Sequence, residues 1–331
     1  MAKSPNSSPS FFGLDFQRNA AIVLMIKNIE NARQVKVEGQ KEDIEITLNN
    51  GKKIYSQVKS VYKNDDYSNV IENLKKSLKT LNNAAKESNV HSLIYITNTP
   101  NPFNNIKTMN LFTGGYTNIK YDKLDSICKN AIDNMCLKAN ITFDMKKLSI
   151  CVIQFQKDIN NRYKTIKETI NDFLFKLNLG DRGFGQVLLE LWQNEFFKNA
   201  THQNINISKK QMIWPIIVLS CEICRDDARI INLDNAEFEE IKRNYKAIIC
   251  NNTERFAFIT KVITSFQKYK EDVKNINPDV LFIDNEWNKF VNEINMPSAS
   301  PDIIEKVIKL TLANVLKCRY TISDISRDLN L

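Results

Sequence analysis

The segment from Val37 to Lys59 constrains the fold of this chain more than any other. In its first half, isoleucine and leucine alternate with polar residues that begin at Asp43, which is the period of a half-buried strand. Two asparagines and Gly51 follow, and Asn-Gly supplies the positive φ angles of a tight hairpin turn. In the second half, Gln57 and Lys59 project to the same side of an extended backbone. The segment therefore predicts a β-hairpin with polar groups converging at one end.

These polar groups have the chemistry of a metal site. Asp43 offers a carboxylate, Gln57 a side-chain carbonyl and Val58 a backbone carbonyl, and oxygen ligands of these kinds suit Mg²⁺ or Mn²⁺. Such a cation polarises a phosphoryl oxygen and lowers the pKa of a bound water. Lys59 is placed to orient that water or to stabilise the charge of a pentacovalent phosphate. The pattern therefore favours phosphodiester hydrolysis; the alternative is a hairpin whose polar face is simply solvated.

The order of these residues resembles the PD-(D/E)xK nuclease superfamily, and the Gln-x-Lys form is similar to its Mrr-like branch. The closest resemblance is to the double-stranded DNA endonuclease domain found beside cyclic-nucleotide sensors in bacterial anti-phage (CBASS) islands, which also occurs as the nuclease subunit of Lamassu systems. The resemblance covers about residues 10 to 100. The motifs that carry it are Gly13-Leu-Asp-Phe-Gln17-Arg-Asn-Ala-Ala21, Glu38, Glu42-Asp43-Ile44 and Gln57-Val58-Lys59.

The resemblance implies a restriction-endonuclease-like fold and a specific set of site residues. The catalytic set would be Asp43, Gln57 and Lys59, with Gln17 directed from an opening helix and Glu38 holding a water or a second ion. Asp43, Gln57 and Val58 would bind the metal. One departure matters, because a glutamine stands where most relatives have an acid, so the site carries one negative charge fewer. The Mrr-like branch accepts this change, and activity is still expected.

The chain-level pattern predicts an α/β fold. A helix from Phe12 to Ala32 with one apolar stripe, three short strands, a helix from Ser68 to Glu87 and a strand from His91 to Thr97 give the order α-β-β-β-α-β. Residues 1 to 10 are predicted to be a mobile tail and residues 11 to 157 a nuclease domain with a mixed sheet flanked by helices. Residues 158 to 331 are predicted to form a mainly α-helical docking or oligomerisation domain. Its predicted helices are Val187 to Lys198, Ser208 to Ala228, Asn235 to Ile249, Thr253 to Val273 and Asp302 to Lys317.

Composition adds weak information about partners. The 331 residues carry a formal net charge of +8, which suits a polyanion such as DNA, although a lysine- and asparagine-rich composition also reflects AT-rich genomes. The first residues have no apolar core of a signal peptide, and no apolar run reaches the length of a membrane span. A cytoplasmic location without membrane association is therefore expected.

Three functional hypotheses follow. The leading one is a metal-dependent endonuclease that cleaves double-stranded DNA as the effector subunit of a Lamassu-like anti-phage system. The resemblance implies that it is silent until a partner releases it or it forms a homo-oligomer, with an SMC-like ATPase and accessory defence subunits as partners. The alternatives are a stand-alone restriction or repair nuclease, and an inactive nuclease-like fold that serves as a DNA-binding or scaffold subunit.

Overall fold

The structure is a computed structural model that describes residues 7–63, 66–180, 183–202, 205–220, 231, 233–253, 255–272, 277–294, 296 and 299–329. The chain divides into two compact units, Met1–Met212 and Ile213–Leu331. The first unit contains a sheet and its flanking helices, and the described part of the second is helical. This confirms the predicted α/β class, with a mixed sheet flanked by helices and followed by a mainly helical region.

The first unit is built on a seven-stranded mixed sheet with the order β5-β6-β4-β3-β2-β1-β7. β4 pairs in parallel with β3 and β6, and the other neighbours pair in antiparallel fashion. The strands are β1 (Ala32–Val37), β2 (Ile44–Leu48), β3 (Lys53–Lys59), β4 (Val90–Thr97), β5 (Tyr116–Lys120), β6 (Leu148–Ile153) and β7 (Ile207–Ser208).

The predicted hairpin is confirmed as β2 and β3. Ile44 pairs with Ser56 and Ile46 with Ile54, so the isoleucines of both strands share one buried face. The turn between the strands contains Gly51 at a φ of 79°, a conformation that costs glycine little. The local signals of alternation and Asn-Gly therefore set the register of the hairpin.

Helices cover both faces of the sheet. They are α1 (Ser8–Lys27), α2 (Val70–Ala84), α3 (Ser126–Ala139), α4 (Ile159–Arg162), α5 (Lys164–Lys176) and α6 (Gly185–Thr201), followed by α7 (Lys209–Ser220) at the division between the units. Leucines of α2 and an apolar side of α3 pack with Tyr55 and Tyr95 in one continuous core. α1 contacts β1, β2 and β3. The order α1, β1, β2, β3, α2, β4 agrees with the predicted α-β-β-β-α-β order.

Helix α1 is buried on more sides than the single apolar stripe that was predicted for it. The predicted stripe includes Phe16, Ala20 and Val23, and all three are fully buried. Ile22 and Met25 lie outside that stripe and are equally buried, because α5 and α6 also pack against α1. These helices follow residue 157, yet they belong to the same compact unit as the sheet.

The N-terminal segment and the second unit complete the fold. α1 begins at Ser8, inside the predicted tail, whose residues 1–6 lie outside the described residues. The second unit contains α8 (Asn235–Thr253), α9 (Phe256–Asp272), α10 (Pro278–Glu286) and α11 (Pro301–Asp328). The end of the helix predicted from Ser208 to Ala228 also falls outside the described residues. None of the described helices is long and apolar enough to span a bilayer.

Candidate functional site

The candidate site lies where β1 ends, β2 begins and β3 ends. Val37 pairs with Ile44, and Ile44 pairs with Ser56. The end of β1, the start of β2 and the end of β3 therefore lie side by side at the same end of the sheet. Glu38 directly follows β1, and Asp43 directly precedes β2. The antiparallel register thus places residues that are distant in sequence next to one another.

Asp43 is the centre of this arrangement. Its Oδ2 atom accepts a hydrogen bond from the backbone N–H of Val58 at 2.8 Å and another from Nε2 of Gln57. Among the described residues, its Oδ1 atom accepts no hydrogen bond. Burial raises the pKa of the Asp43 carboxyl, while the Val58 N–H and the positive charge of Lys59 oppose the rise. Asp43, Gln57, Val58 and Lys59 therefore share one site.

Gln17 joins the opening helix to this site. Its Nε2 atom donates to Oε1 of Glu38 at 2.8 Å and to the backbone carbonyl of Asp43 at 3.1 Å. Glu38 has a φ of 51°, in the left-handed region that side chains larger than glycine rarely adopt. Such a conformation costs about 1–3 kcal/mol and is common at functional sites. Gln17 thus fixes the strained turn that carries both acids.

Glu42 belongs to the same site, although no role was predicted for it. Only 4% of the residue is exposed, and neither carboxylate oxygen has a hydrogen-bond partner among the described residues. Burial, followed by the negative charge of Asp43, raises the pKa of the Glu42 carboxyl to about 8, and Lys59 opposes the rise. The sequence contained one signal for it, an acid directly before Asp43 at the entrance to a buried strand.

Glu45 has a structural role in the hairpin. It lies on β2, two residues after Asp43 and further from the site. Its carboxylate accepts from the backbone N–H of Lys41 at 2.8 Å and forms an ion pair with Lys53 at 3.0 Å. Because both oxygens have partners within the hairpin, Glu45 is not a candidate ligand.

The donor set fits a hard divalent cation. The carboxylates of Asp43 and Glu42, the Gln57 amide and the Val58 carbonyl are all oxygen donors of the kind that Mg²⁺ accepts. The described part of the chain contains no group of three or more His, Cys, Asp or Glu side chains suited to a metal. Amide and backbone oxygens would therefore have to complete the coordination. A bound cation would give a partner to the two Glu42 oxygens, which accept no hydrogen bond from the described residues.

A cavity of about 640 Å³ adjoins the site, and Gln17 and Glu38 form part of its wall. The wall also contains aromatic and basic side chains, among them Phe11, Phe12, Arg18, Arg162 and Phe197. Phe11 and Phe197 are 68% and 56% exposed. The Arg162 guanidinium lies 5.5 Å from the ring centroid of Phe12. Aromatic rings beside arginines are typical of surfaces that bind nucleic acids.

Asp15 organises the basic side chains of this cavity. Its carboxylate pairs with Arg18 at 2.6 Å and with Arg162 at 3.6 Å. It also accepts a hydrogen bond from the hydroxyl of Tyr163 at 2.8 Å. These contacts connect α1 to α4 and α5 and hold both guanidinium groups at the cavity wall.

Comparison with known proteins gives no family assignment. No protein-family model matches the sequence, and no curated protein matches it.

Solved structures give a weak likeness. The matches include the Acinetobacter baumannii Cap4 SAVED/CARF-domain containing receptor with the cyclic trinucleotide 3'3'3'-cAAA, at 14% identity and a TM-score of 0.40. The same receptor with 2'3'3'-cAAA has 15% sequence identity and a TM-score of 0.38. The structure of this receptor without a named ligand has 15% identity and a TM-score of 0.39. The matches cover 61–62% of this chain and 44–46% of the receptors, so the chain spans less than half their length. Scores this low assign neither a fold family nor a function.

Proposed function

We propose that the chain is a metal-dependent endonuclease that cleaves double-stranded DNA. The observation that carries this proposal is the arrangement around Asp43. Its carboxylate accepts hydrogen bonds from the Gln57 side chain and from the Val58 N–H. Lys59 lies on β3 with Gln57 and Val58, and its positive charge opposes the rise that burial causes in the pKa of the Asp43 carboxyl. An acid and an amide that bind a cation, with a lysine beside them, can promote metal-dependent hydrolysis of a phosphodiester.

Each side chain has a role in this proposal. Asp43 binds the cation, together with the Gln57 and Val58 carbonyls, and the cation supplies Lewis-acid polarisation of the phosphodiester. Lys59 orients the attacking water and stabilises the negative charge that develops on the phosphate. Gln17 is a positioning residue, because it holds the Glu38 side chain and the Asp43 backbone in place. Glu38 is available to hold a water or a second ion.

The substrate follows from charge and from the cavity. A formal net charge of +8 attracts a polyanion, and binding releases counterions from the DNA. The cavity beside Gln17 and Glu38 offers guanidinium groups and exposed phenylalanine rings to a bound polyanion. These features support nucleic acid as the substrate class, and the sequence resemblance favours double-stranded DNA.

The proposed biological setting is bacterial anti-phage defence, in a Lamassu-like system. This setting rests on the sequence resemblance; the likeness to Cap4 receptors is consistent with it and adds no weight. In this account the helical unit docks onto an SMC-like ATPase and accessory subunits, and the nuclease is silent until it is released or forms a homo-oligomer. A stand-alone nuclease would instead cleave DNA without any partner.

Incubation of supercoiled plasmid with the purified chain tests the activity. We expect nicked and linear products in Mg²⁺ or Mn²⁺ and intact plasmid in EDTA, because the carboxylates need the cation to act on a phosphodiester. Since partners are expected to control the enzyme, protein concentration should be varied to populate oligomers. Intact plasmid with both metals at every concentration, alone and with the co-expressed partners, would contradict the proposal. Equal cleavage in EDTA would contradict the metal dependence.

A further inference from the structure

Glu42 carries a carboxylate that the fold itself leaves unsatisfied. The residue is 4% exposed, and neither of its carboxylate oxygens accepts a hydrogen bond from the part of the chain that the structure describes. Glu45 is about as deeply buried at 6%, yet it pairs with Lys53 and with the backbone of Lys41. Among the described residues, Glu42 contributes the only unpartnered buried carboxylate oxygens. Burial of an unpaired carboxylate costs free energy, and a bound cation would offset that cost.

The position of Glu42 identifies the kind of partner. Its backbone is fixed in the turn between β1 and β2, where its carbonyl accepts from the N–H of Gly39 at 3.0 Å. Glu42 directly precedes Asp43, whose carbonyl accepts from the N–H of Glu38 at 2.8 Å and from Gln17 at 3.1 Å, so the turn that carries Glu42 borders the candidate site. A negative charge beside Asp43 is unfavourable in the empty site and becomes favourable when a divalent cation lies between the two carboxylates.

The composition of the site gives a second, independent reason. The position that is acidic in most nucleases of the resembled superfamily is Gln57 here, and this amide contributes no charge. Asp43 is then the only carboxylate among the predicted ligands Asp43, Gln57 and Val58. A second carboxylate would add a negative charge, which favours the binding of a hard cation.

We propose that Glu42 is a ligand of the divalent cation and supplies the negative charge that Gln57 lacks. This inference rests on the proposed function, since it assigns a residue to the same metal site. It adds a ligand that lies outside the Gln-x-Lys motif, on the strand entrance that carries Asp43. Glu42 and Asp43 thus form a pair of adjacent acids that share one ion.

Titration of the full chain with Mn²⁺ by isothermal calorimetry tests the proposal without relying on catalysis. The variants are Glu42→Gln, which preserves shape and removes the charge, Asp43→Asn, and the control Glu239→Gln at an exposed position on α8. We expect the Mn²⁺ dissociation constant to rise at least tenfold in Glu42→Gln and in Asp43→Asn, the range seen when groups that support a metal are removed. The control should match the wild type. Thermal unfolding in EDTA verifies that each variant is folded.

Each outcome separates the two proposals. Unchanged Mn²⁺ affinity in Glu42→Gln, with weakened affinity in Asp43→Asn, would overturn the role of Glu42 and leave the nuclease proposal standing. The same conclusion would follow if Glu42→Gln unfolded at a higher temperature than the wild type in EDTA without losing Mn²⁺ affinity. If the wild type bound no Mn²⁺ and cleaved no DNA, both proposals would fail.

Discussion

Replacing Lys59 with alanine should lower the rate of Mg²⁺-dependent plasmid cleavage by about 10²- to 10³-fold, the usual effect of removing one group that stabilises transition-state charge. Lys59 ends β3 beside Asp43, and its charge acts on the carboxyls of both Asp43 and Glu42. Its removal takes away the positive charge that would face the phosphate. Cleavage rates measured under single-turnover conditions report this loss directly.

The effect of Lys59→Ala must be separated from unfolding and from weaker DNA binding. Lys268→Ala, at an exposed position on α9, removes the same charge far along the sequence from the site and should cleave at the wild-type rate. DNA affinity of Lys59→Ala, measured in Ca²⁺ at fixed salt, should stay within a few-fold of the wild type, because one contact makes a small share of a polyanion interface. Cleavage by Lys59→Ala at the wild-type rate would contradict the proposed active site.

Replacing Phe155 with alanine should lower the free energy of unfolding of the first unit by about 3–5 kcal/mol, the cost of deleting a fully buried aromatic side chain. Phe155 is 0% exposed and follows β6. The centroid of its ring lies 5.2 Å from the ring centroid of Phe12, 5.3 Å from that of Phe16 and 5.7 Å from that of Tyr163. It therefore holds α1, which carries Gln17, against the end of the sheet.

Urea unfolding followed by circular dichroism measures this loss. Phe175→Ala is the matched control, because that ring on α5 is 74% exposed and its removal should change the unfolding free energy by no more than about 0.5 kcal/mol. A loss below about 1 kcal/mol in Phe155→Ala would show that α1 is not anchored through this ring.

The local features of the fold were predictable from the sequence because their causes are local. The alternation before Gly51 and the Asn-Gly turn depend on backbone geometry alone, and the hairpin register agrees with them. The unbroken apolar run from Ala20 to Ile26 already indicates that α1 is buried on more than one side. The run does not identify the covering helices, because α5 and α6 come much later in the chain.

In the candidate site, too, the positions that follow from strand geometry were predictable and the others were not. Asp43, Gln57 and Lys59 could be placed together because strand alternation and hairpin pairing relate them directly. Glu42 could not be assigned in this way, because it lies in the irregular turn before β2, where alternation does not determine which way a side chain points. Its burial and its unpartnered oxygens became visible only in the folded chain.

The measurement that tests the central claim most directly is the position of bound Mn²⁺, located by anomalous diffraction from crystals of the chain grown with the metal. We expect a peak within coordination distance of an Asp43 carboxylate oxygen, with the Gln57 side chain and the Val58 carbonyl next to it. A peak only at a site remote from β2 and β3, or no peak at a saturating Mn²⁺ concentration, would contradict the proposed metal site.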